Sequence, residues 1–394
     1  ASVLTPYGGD KTALNNFAFP NSVLAMYLTP FAGGPNAPIN PAYNPFFARF
    51  DASGATVSPL GQFIGSGASF FMTWLGHSDF IGYAARGGDQ AQVPIPDAAT
   101  LGGYFQSALG GMMLANPVWK GVVGTVPDLL AAPYFQFIAA TVAKPTEIIP
   151  MANDATLAQL QGLAAGFNAL NTSLAGLGYI TAQEAGMRTL SWSVGANSIL
   201  VEDESLTDLS AGWDFLVSQS LMDAGTRALL DPFKMARQAF DGEILPLSAQ
   251  VVIGVPVHPS MPTAVYGVTV PLPDQYFLTG AELYEFEVAR QTYNAAVAGA
   301  VAAYGGGRVA VADFNGYFES LAGTSPFTNN NVVVTYDFAP PTGMWSTDGI
   351  HPNARGYALV ANKFIAAIND QFGASVPSAM VGSYTGAALP VTVN

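Results

Sequence analysis

Four short runs, each apolar through its middle, constrain this chain most: Ala68–Leu75 (ASFFMTWL), Gly121–Pro127 (GVVGTVP), Val251–Val257 (VVIGVPV) and Arg308–Phe314 (RVAVADF). A strand with one wet face alternates apolar and polar residues, whereas a strand covered on both faces reads as a continuous apolar run. Helical stretches separate the runs. Ala98 to Asn116 can form one helix. Thr279 and Glu282 make a T-x-x-E capping box for a second, with Tyr284, Val288 and Val297 as its apolar face and Gly305 to Gly307 as its stop. A last helix runs from roughly Ala354 to Phe372 and ends before Gly373. Strands alternating with helices predict an α/β fold, a doubly wound parallel sheet with helices on both faces. The segment from Glu147 to Leu247 reads mostly as helix and loop, an insertion or cap (147–247) within one domain spanning 1–394. Residues 1–60, rich in Pro, Gly and Asn, read as loops laid over the core.

Composition narrows the functional classes. Half of the 394 residues are hydrophobic and 10% are charged, which excludes intrinsic disorder. With 27 acidic against 13 basic side chains the formal charge is −14, and the pI near 4.4 argues against nucleic acid or an anionic membrane surface. The absence of cysteine removes disulfides, thiolate metal sites and a cysteine nucleophile. His77, His258 and His351 are too scattered for a zinc cluster, so no metal and no cofactor are expected. The most apolar stretch, Gly121 to Ala143, is broken by Pro127, Asp128 and Pro133, so no membrane span is expected. No basic segment followed by an apolar core is found, so no signal peptide is expected within the chain. The start at Ala1 suggests processing or truncation. Few charges, no cysteine and many small residues fit an exported protein.

The strongest chemical signal is Ser346-Thr347-Asp348-Gly349-Ile350-His351-Pro352-Asn353, directly before the last helix. An Asp three residues before a His, on a tight turn containing glycine, can orient the imidazole and stabilise its cation, making His351 a general base for a hydroxyl nucleophile. The bland alternative is an aspartate that caps a turn beside a surface histidine.

At this point the chain resembles the SGNH (GDSL-type) ester hydrolases. The fragment TDGIHPNARGYALVANKFIAAIND is similar to their last block, in which Asp and His belong to a Ser-His-Asp triad. Trp74-Leu75-Gly76-His77-Ser78-Asp79-Phe80 stands at the place of their G-x-N-D block, and Asn15-Asn16-Phe17-Ala18-Phe19-Pro20-Asn21 resembles an N-L-G-x-P-G turn. Asn44-Pro45-Phe46-Phe47-Ala48-Arg49-Phe50 resembles a segment of one exported bacterial branch. The resemblance implies hydrolysis of carboxylic esters or O-acetyl groups of a small molecule or glycan, without metal, in a bacterial protein that is secreted or at the cell surface. It implies Asp348 and His351 as catalytic residues, with Ser78, the Ala18 N–H and Gly76 on the oxyanion side.

The departures are as informative. No G-D-S or G-N-S nucleophile motif follows a first strand; the nearest string is Gly9-Asp10-Lys11, too close to Asn16 for the intervening helix and strand. The nucleophile is therefore unknown. The family's oxyanion asparagine and glycine are replaced by Ser78 and Ala18, and losing one oxyanion donor typically costs on the order of 10²–10³ in rate. A parallel sheet cannot omit an interior strand without unpaired backbone groups. Either the protein begins upstream of Ala1 or another segment fills the slot, such as Ser2 to Thr5.

Two further readings stay open. Gly76-His77-Ser78-Asp79-Phe80 nearly spells the G-x-S-x-G elbow of α/β-hydrolases, with Ser78 as nucleophile, His351 as base and Asp313 or Asp348 as acid, although Phe80 replaces the second glycine. Alternatively the protein is a non-catalytic SGNH-derived scaffold, forming a homo-oligomer or surface assembly. His77 reads as a loop residue near the cleft mouth, His258 as structural, and Asp128 as a turn cap or substrate contact. Asp89 and Asp274 lie in loops and could bind calcium, without a D-x-D-x-D-G loop to support it.

Overall fold

The computed structural model describes residues 4–36 and 40–386. The chain divides into two compact units: Ala1–Gly82, Ile95–Pro133 and Phe286–Asn394 form unit 1, and Tyr83–Pro94 with Tyr134–Glu285 form unit 2. The segment 147–247 lies within unit 2. Residues on either side of it share unit 2's core, among them Ile138, Leu272 and Phe277.

Unit 1 carries a three-stranded parallel sheet in the order β1-β2-β3, formed by β1 (Phe70–Thr73), β2 (Lys120–Gly124) and β3 (Val309–Ala312). Three of the four apolar runs are these strands. Val122 and Val123 of the central strand are wholly buried. Phe71 pairs with Gly121 across the first ladder, and a Cβ on Gly121 would lie 2.3 Å from the Phe71 ring. Only glycine lets that ring lie across the neighbouring strand.

The fourth run, Val251–Val257, is not a strand and belongs to unit 2. Val251 ends a short 3₁₀ turn and is 77% exposed, Gly254 has a φ of +75°, and Pro256 lacks an N–H for a ladder. Of Ser2–Thr5, Ser2 and Val3 lie outside the described residues, and Leu4 and Thr5 are in no strand. Among the described residues no strand lies on the outer side of β1, and Met72 is 64% exposed.

The helices α1 (His77–Ala84), α2 (Ala98–Ala115), α3 (Gly280–Ala300), α4 (Phe314–Gly323) and α5 (Ala354–Phe372) follow local signals. Asp97 caps α2 by accepting from the Ala99 and Thr100 N–H groups. The capping box of α3 forms as expected: the Thr279 N–H donates to Glu282 Oε2 (2.7 Å) and the Glu282 N–H to Thr279 Oγ1 (3.3 Å). Its apolar face matches the expected one only at Val297. Tyr284 and Val288 are exposed, and in unit 1 the buried stripe is Phe286, Arg290, Tyr293 and Val297. A charged residue can hold a core position there because Arg290 donates to the Val126 carbonyl (3.0 Å) and Asn315 Oδ1 (2.6 Å) and pairs with Glu287 (2.6 Å). α5 has the expected bounds, with Asn353 as its N-cap and Gly373, φ +59°, closing it.

Unit 2 has its own core, in which Trp192, Trp213, Leu174 and Leu200 are buried. It is built from Ala155–Gly176 and shorter α-helices, among them Pro133–Thr141 and Ser210–Ser218, together with two antiparallel strand pairs, Ile149–Met151 with Gly195–Asn197 and Leu200–Glu202 with Ala236–Gln238. Inside it Arg237 donates to Asp203 Oδ2 (2.6 Å) and forms a two-pronged pair with Glu243 (2.6 and 2.8 Å). Among the described residues no helix is long and apolar enough to cross a membrane.

The carboxyl end of β2 depends on side chains for its hydrogen bonds. Val126 donates its N–H to Asn294 Oδ1 and accepts from Asn294 Nδ2, both at 2.8 Å. Trp74 Nε1 donates to the Thr125 carbonyl (2.8 Å), and the Phe314 N–H donates to Thr125 Oγ1 (2.9 Å). Asn294→Leu leaves the Val126 N–H without its partner and its carbonyl with Arg290 alone, and is expected to cost about 1–3 kcal/mol, read as a lower urea midpoint at unchanged m-value.

Candidate functional site

The loops leaving the carboxyl ends of the three strands, where open parallel sheets place their ligands, carry Trp74–Asp79 after β1, Thr125–Asp128 after β2 and Asp313–Asn315 after β3. An aromatic cluster joins them to the segment before α5. Trp74 stacks on Phe314 (4.1 Å) and Phe318 (6.4 Å), Phe318 packs on Trp345 (5.6 Å), and Trp345 meets Tyr336 edge-on (5.4 Å).

The Asp348–His351 pair forms. His351 Nδ1 lies 2.8 Å from Asp348 Oδ2, while Asp348 Oδ1 accepts from Ser346 Oγ (2.6 Å) and from the N–H groups of Ile350 (2.8 Å) and His351 (2.9 Å). Burial alone would raise the Asp348 carboxyl. These donors and the imidazole instead hold it far below the usual carboxylate range. An ionised carboxylate only accepts, so Nδ1 carries the proton and Nε2 is left as the basic nitrogen. The turn is closed by the Ser346 N–H to the His351 carbonyl (2.7 Å), with Gly349 at φ +71°. Asn353 fastens it to α5, capping the helix and donating Nδ2 to the Gly343 (2.8 Å) and Trp345 (3.0 Å) carbonyls. The imidazole is 68% exposed.

Other candidates fall differently. Asp313 caps α4 by accepting from the Gly316 N–H (3.2 Å), so the acid that meets His351 is Asp348. Ser78 lies in the first turn of α1, and the left-handed residue at the strand-to-helix junction is Gly76, φ +108°. The strain that an elbow puts on its nucleophile is therefore absent at Ser78. Leu75 packs against the Phe19, Tyr27 and Phe47 cluster, which brings the Asn15–Asn21 turn beside this loop. The Ala18 N–H is occupied, donating to Asn16 Oδ1 (2.9 Å). Ala18 also lines a shallow recess with Lys11, Asn16, Phe17 and Gln62. His258, bonded through Nδ1 to Ser260 (2.7 Å), is an exposed turn residue of unit 2. Asp89 and Asp274 also belong to unit 2, where Glu204 joins them.

His77 is not a loop residue: it opens α1, its ring edge-on to Trp74 at 4.4 Å. Burial, and then the charge of nearby His351, lowers it to about 4. Asp79 accepts from the Leu24 N–H on both oxygens (3.2 and 3.1 Å), yet burial raises it to about 6. Asp128, read as a turn cap or substrate contact, does cap a turn through the Leu130 N–H (3.0 Å); burial raises its carboxyl and the Arg290 charge opposes. Sequence reasoning missed Tyr336 and Trp345. The Tyr336 hydroxyl, Trp345 Nε1 and His77 Nε2 are hidden from solvent and lack a hydrogen-bond partner among the described residues. Nothing in the local sequence marks these atoms, because the contacts that enclose them come from distant segments. Comparison with protein-family models, with curated proteins and with solved structures finds no match for this chain.

In a histidine C2–H NMR titration, one of the three imidazoles is expected to titrate near pH 4 and to vanish in His77→Gln. The two neighbours also act oppositely on stability. Folded Asp79 keeps a proton that the unfolded chain releases, so its contribution falls as pH rises from about 4 through 6, by up to about 3 kcal/mol. Folded His77 lacks a proton that the unfolded chain binds, so its contribution rises across pH 4 to 6.5. Melting curves of Asp79→Asn should therefore climb more steeply with pH over this window than wild type, and those of His77→Gln less steeply.

Proposed function

We propose that unit 1 is an SGNH-type ester hydrolase built on a doubly wound sheet, acting outside the cell on carboxylic esters or O-acetyl groups of a small molecule or glycan. The observation that carries this reading is the Asp348–His351 hydrogen bond of 2.8 Å, on a turn fastened to α5. In the proposed reaction His351 Nε2 takes the proton of a hydroxyl nucleophile as the oxygen bonds to the acyl carbon. The same proton then goes to the departing alcohol oxygen. Water, deprotonated by Nε2, then bonds to the acyl carbon, the bond from that carbon to the nucleophile oxygen breaks, and Nε2 returns the proton to that oxygen as the acid leaves. Asp348 keeps Nδ1 protonated and stabilises the imidazolium. No residue of the chain is assigned as the nucleophile, because no serine or threonine hydroxyl among the described residues is hydrogen-bonded to His351.

A second reading, the non-catalytic scaffold, is favoured by two other observations: the Ala18 N–H is already taken by Asn16, and Ser78 adopts an ordinary helical conformation. Hydrolysis of p-nitrophenyl acetate with fluorophosphonate labelling separates the two. If unit 1 is an esterase, His351→Ala lowers turnover by at least about 10³-fold with an unchanged melting midpoint. Wild-type protein with neither turnover nor adduct establishes the scaffold reading, and an adduct on Ser78 moves the nucleophile there.

A further inference from the structure

Unit 2 gathers carboxylates that the chain keeps far apart. One ligand oxygen each from Asp89, Glu204 and Asp274 lies within 4.8 Å of the others. A set of three carboxylates is not by itself a site, and the second observation concerns Asp274. Its residue is 8% exposed, and both carboxylate oxygens are hidden from solvent with no hydrogen-bond partner among the described residues. A buried carboxylate normally has donors or a cation, since desolvating it otherwise costs several kcal/mol. Five cations of this unit are engaged with other carboxylates. Lys144, Arg188, Arg227, Lys234 and Arg237 pair with Asp241, Glu184, Asp214, Asp208 and Asp203, respectively.

The backbone holds the cluster closed. Gly87 has a φ of +67°, and a Cβ there would lie 2.2 Å from the Asp274 carbonyl oxygen, so the segment before Asp89 is pressed directly onto the 274–277 turn. Asp89 is oriented by the Ala91 and Gln92 N–H groups (3.0 and 3.1 Å), and Gln92 ties its second oxygen (2.6 Å) to Gln275 (3.0 Å).

We propose that Asp89, Glu204 and Asp274 form a calcium site. The donors are all hard oxygens, which selects against the softer transition metals. Calcium takes six to eight oxygens in flexible geometry, whereas magnesium demands a strict octahedron and is usually held by one or two carboxylates, so three converging carboxylates suit calcium. The ion ties the 83–94 segment to the 274–277 turn and is structural in unit 2. It takes no part in the ester chemistry proposed for unit 1.

The test uses the full chain, stripped with EDTA and titrated with CaCl₂ by calorimetry and by thermal denaturation. The expected result is saturable binding of one ion and a melting midpoint that rises with calcium, with magnesium weaker by at least roughly tenfold. Asp274→Asn, close to isosteric, should lose the calcium-dependent rise. Glu204→Gln alters an exposed side chain, is expected to fold normally, and should weaken calcium by at least about tenfold, which decides the matter if the first variant does not fold. Absence of binding at millimolar calcium overturns the proposal. So does a calcium response that persists in both variants, and equal affinity for magnesium overturns the choice of ion.

Discussion

The backbone of β2 where it leaves the sheet is the constraint on which the rest of unit 1 depends. Beyond the Thr125 N–H, which still pairs with the Ala312 carbonyl, the ladder ends, and the Thr125 carbonyl and the Val126 peptide groups remain buried among α3, α4 and the β1 loop. A buried peptide group must find a partner. Asn294 supplies both partners of Val126, Arg290 adds a second donor to its carbonyl, and Trp74 reaches the carbonyl of Thr125. The Thr125 hydroxyl in turn accepts from the first N–H of α4. These bonds set the starts of all three loops at the carboxyl edge of the sheet. Through Trp74 they also set the aromatic stack on which Trp345 and the segment before α5 rest.

The His351–Asp348 turn is organised differently. Most of its bonds join residues at most five apart, from Ser346 to His351, so it can form wherever its ends are held. Asn353 holds one end and the Trp345 ring the other. The local bonds determine the protonation pattern of the pair, while the global contacts determine what it faces. His77 is the link between them: its burial against Trp74 keeps it neutral, and it lies close enough to His351 to feel that residue's charge.

Unit 2 treats buried charge in two contrasting ways. Arg237 is matched by Asp203 and Glu243, with its five donors largely used, and such a set is tolerated in a core because no member is left unpaired. Asp274 is buried to a similar degree with no such match. The same unit thus satisfies one cluster internally and leaves the other in need of a cation.

Much of the fold was legible in the sequence where the signal was local. The run GVVG was identifiable as a buried strand because both of its faces are covered, whereas FFMT and VAVA were found by their apolar residues although Phe70, Met72 and Val311 remain exposed. The ends of α5 were legible because Asn353 and Gly373 act on their own immediate neighbours. The Asp348–His351 pair was legible for the same reason, being one turn of chain. Val251–Val257 misled because composition does not reveal that Gly254 turns left-handed and that the valines face solvent. Tyr284 and Val288 misled because burial in α3 goes to the side that can satisfy Arg290. Only the tertiary structure could bring Asp274 against Asp89 and Glu204, occupy the Ala18 N–H, hide His77 Nε2, or divide the chain into two units. Local hydrogen bonds and caps are written in neighbouring residues. Burial and the meeting of distant charges exist only once the chain has folded, because they depend on which surfaces remain in contact with water.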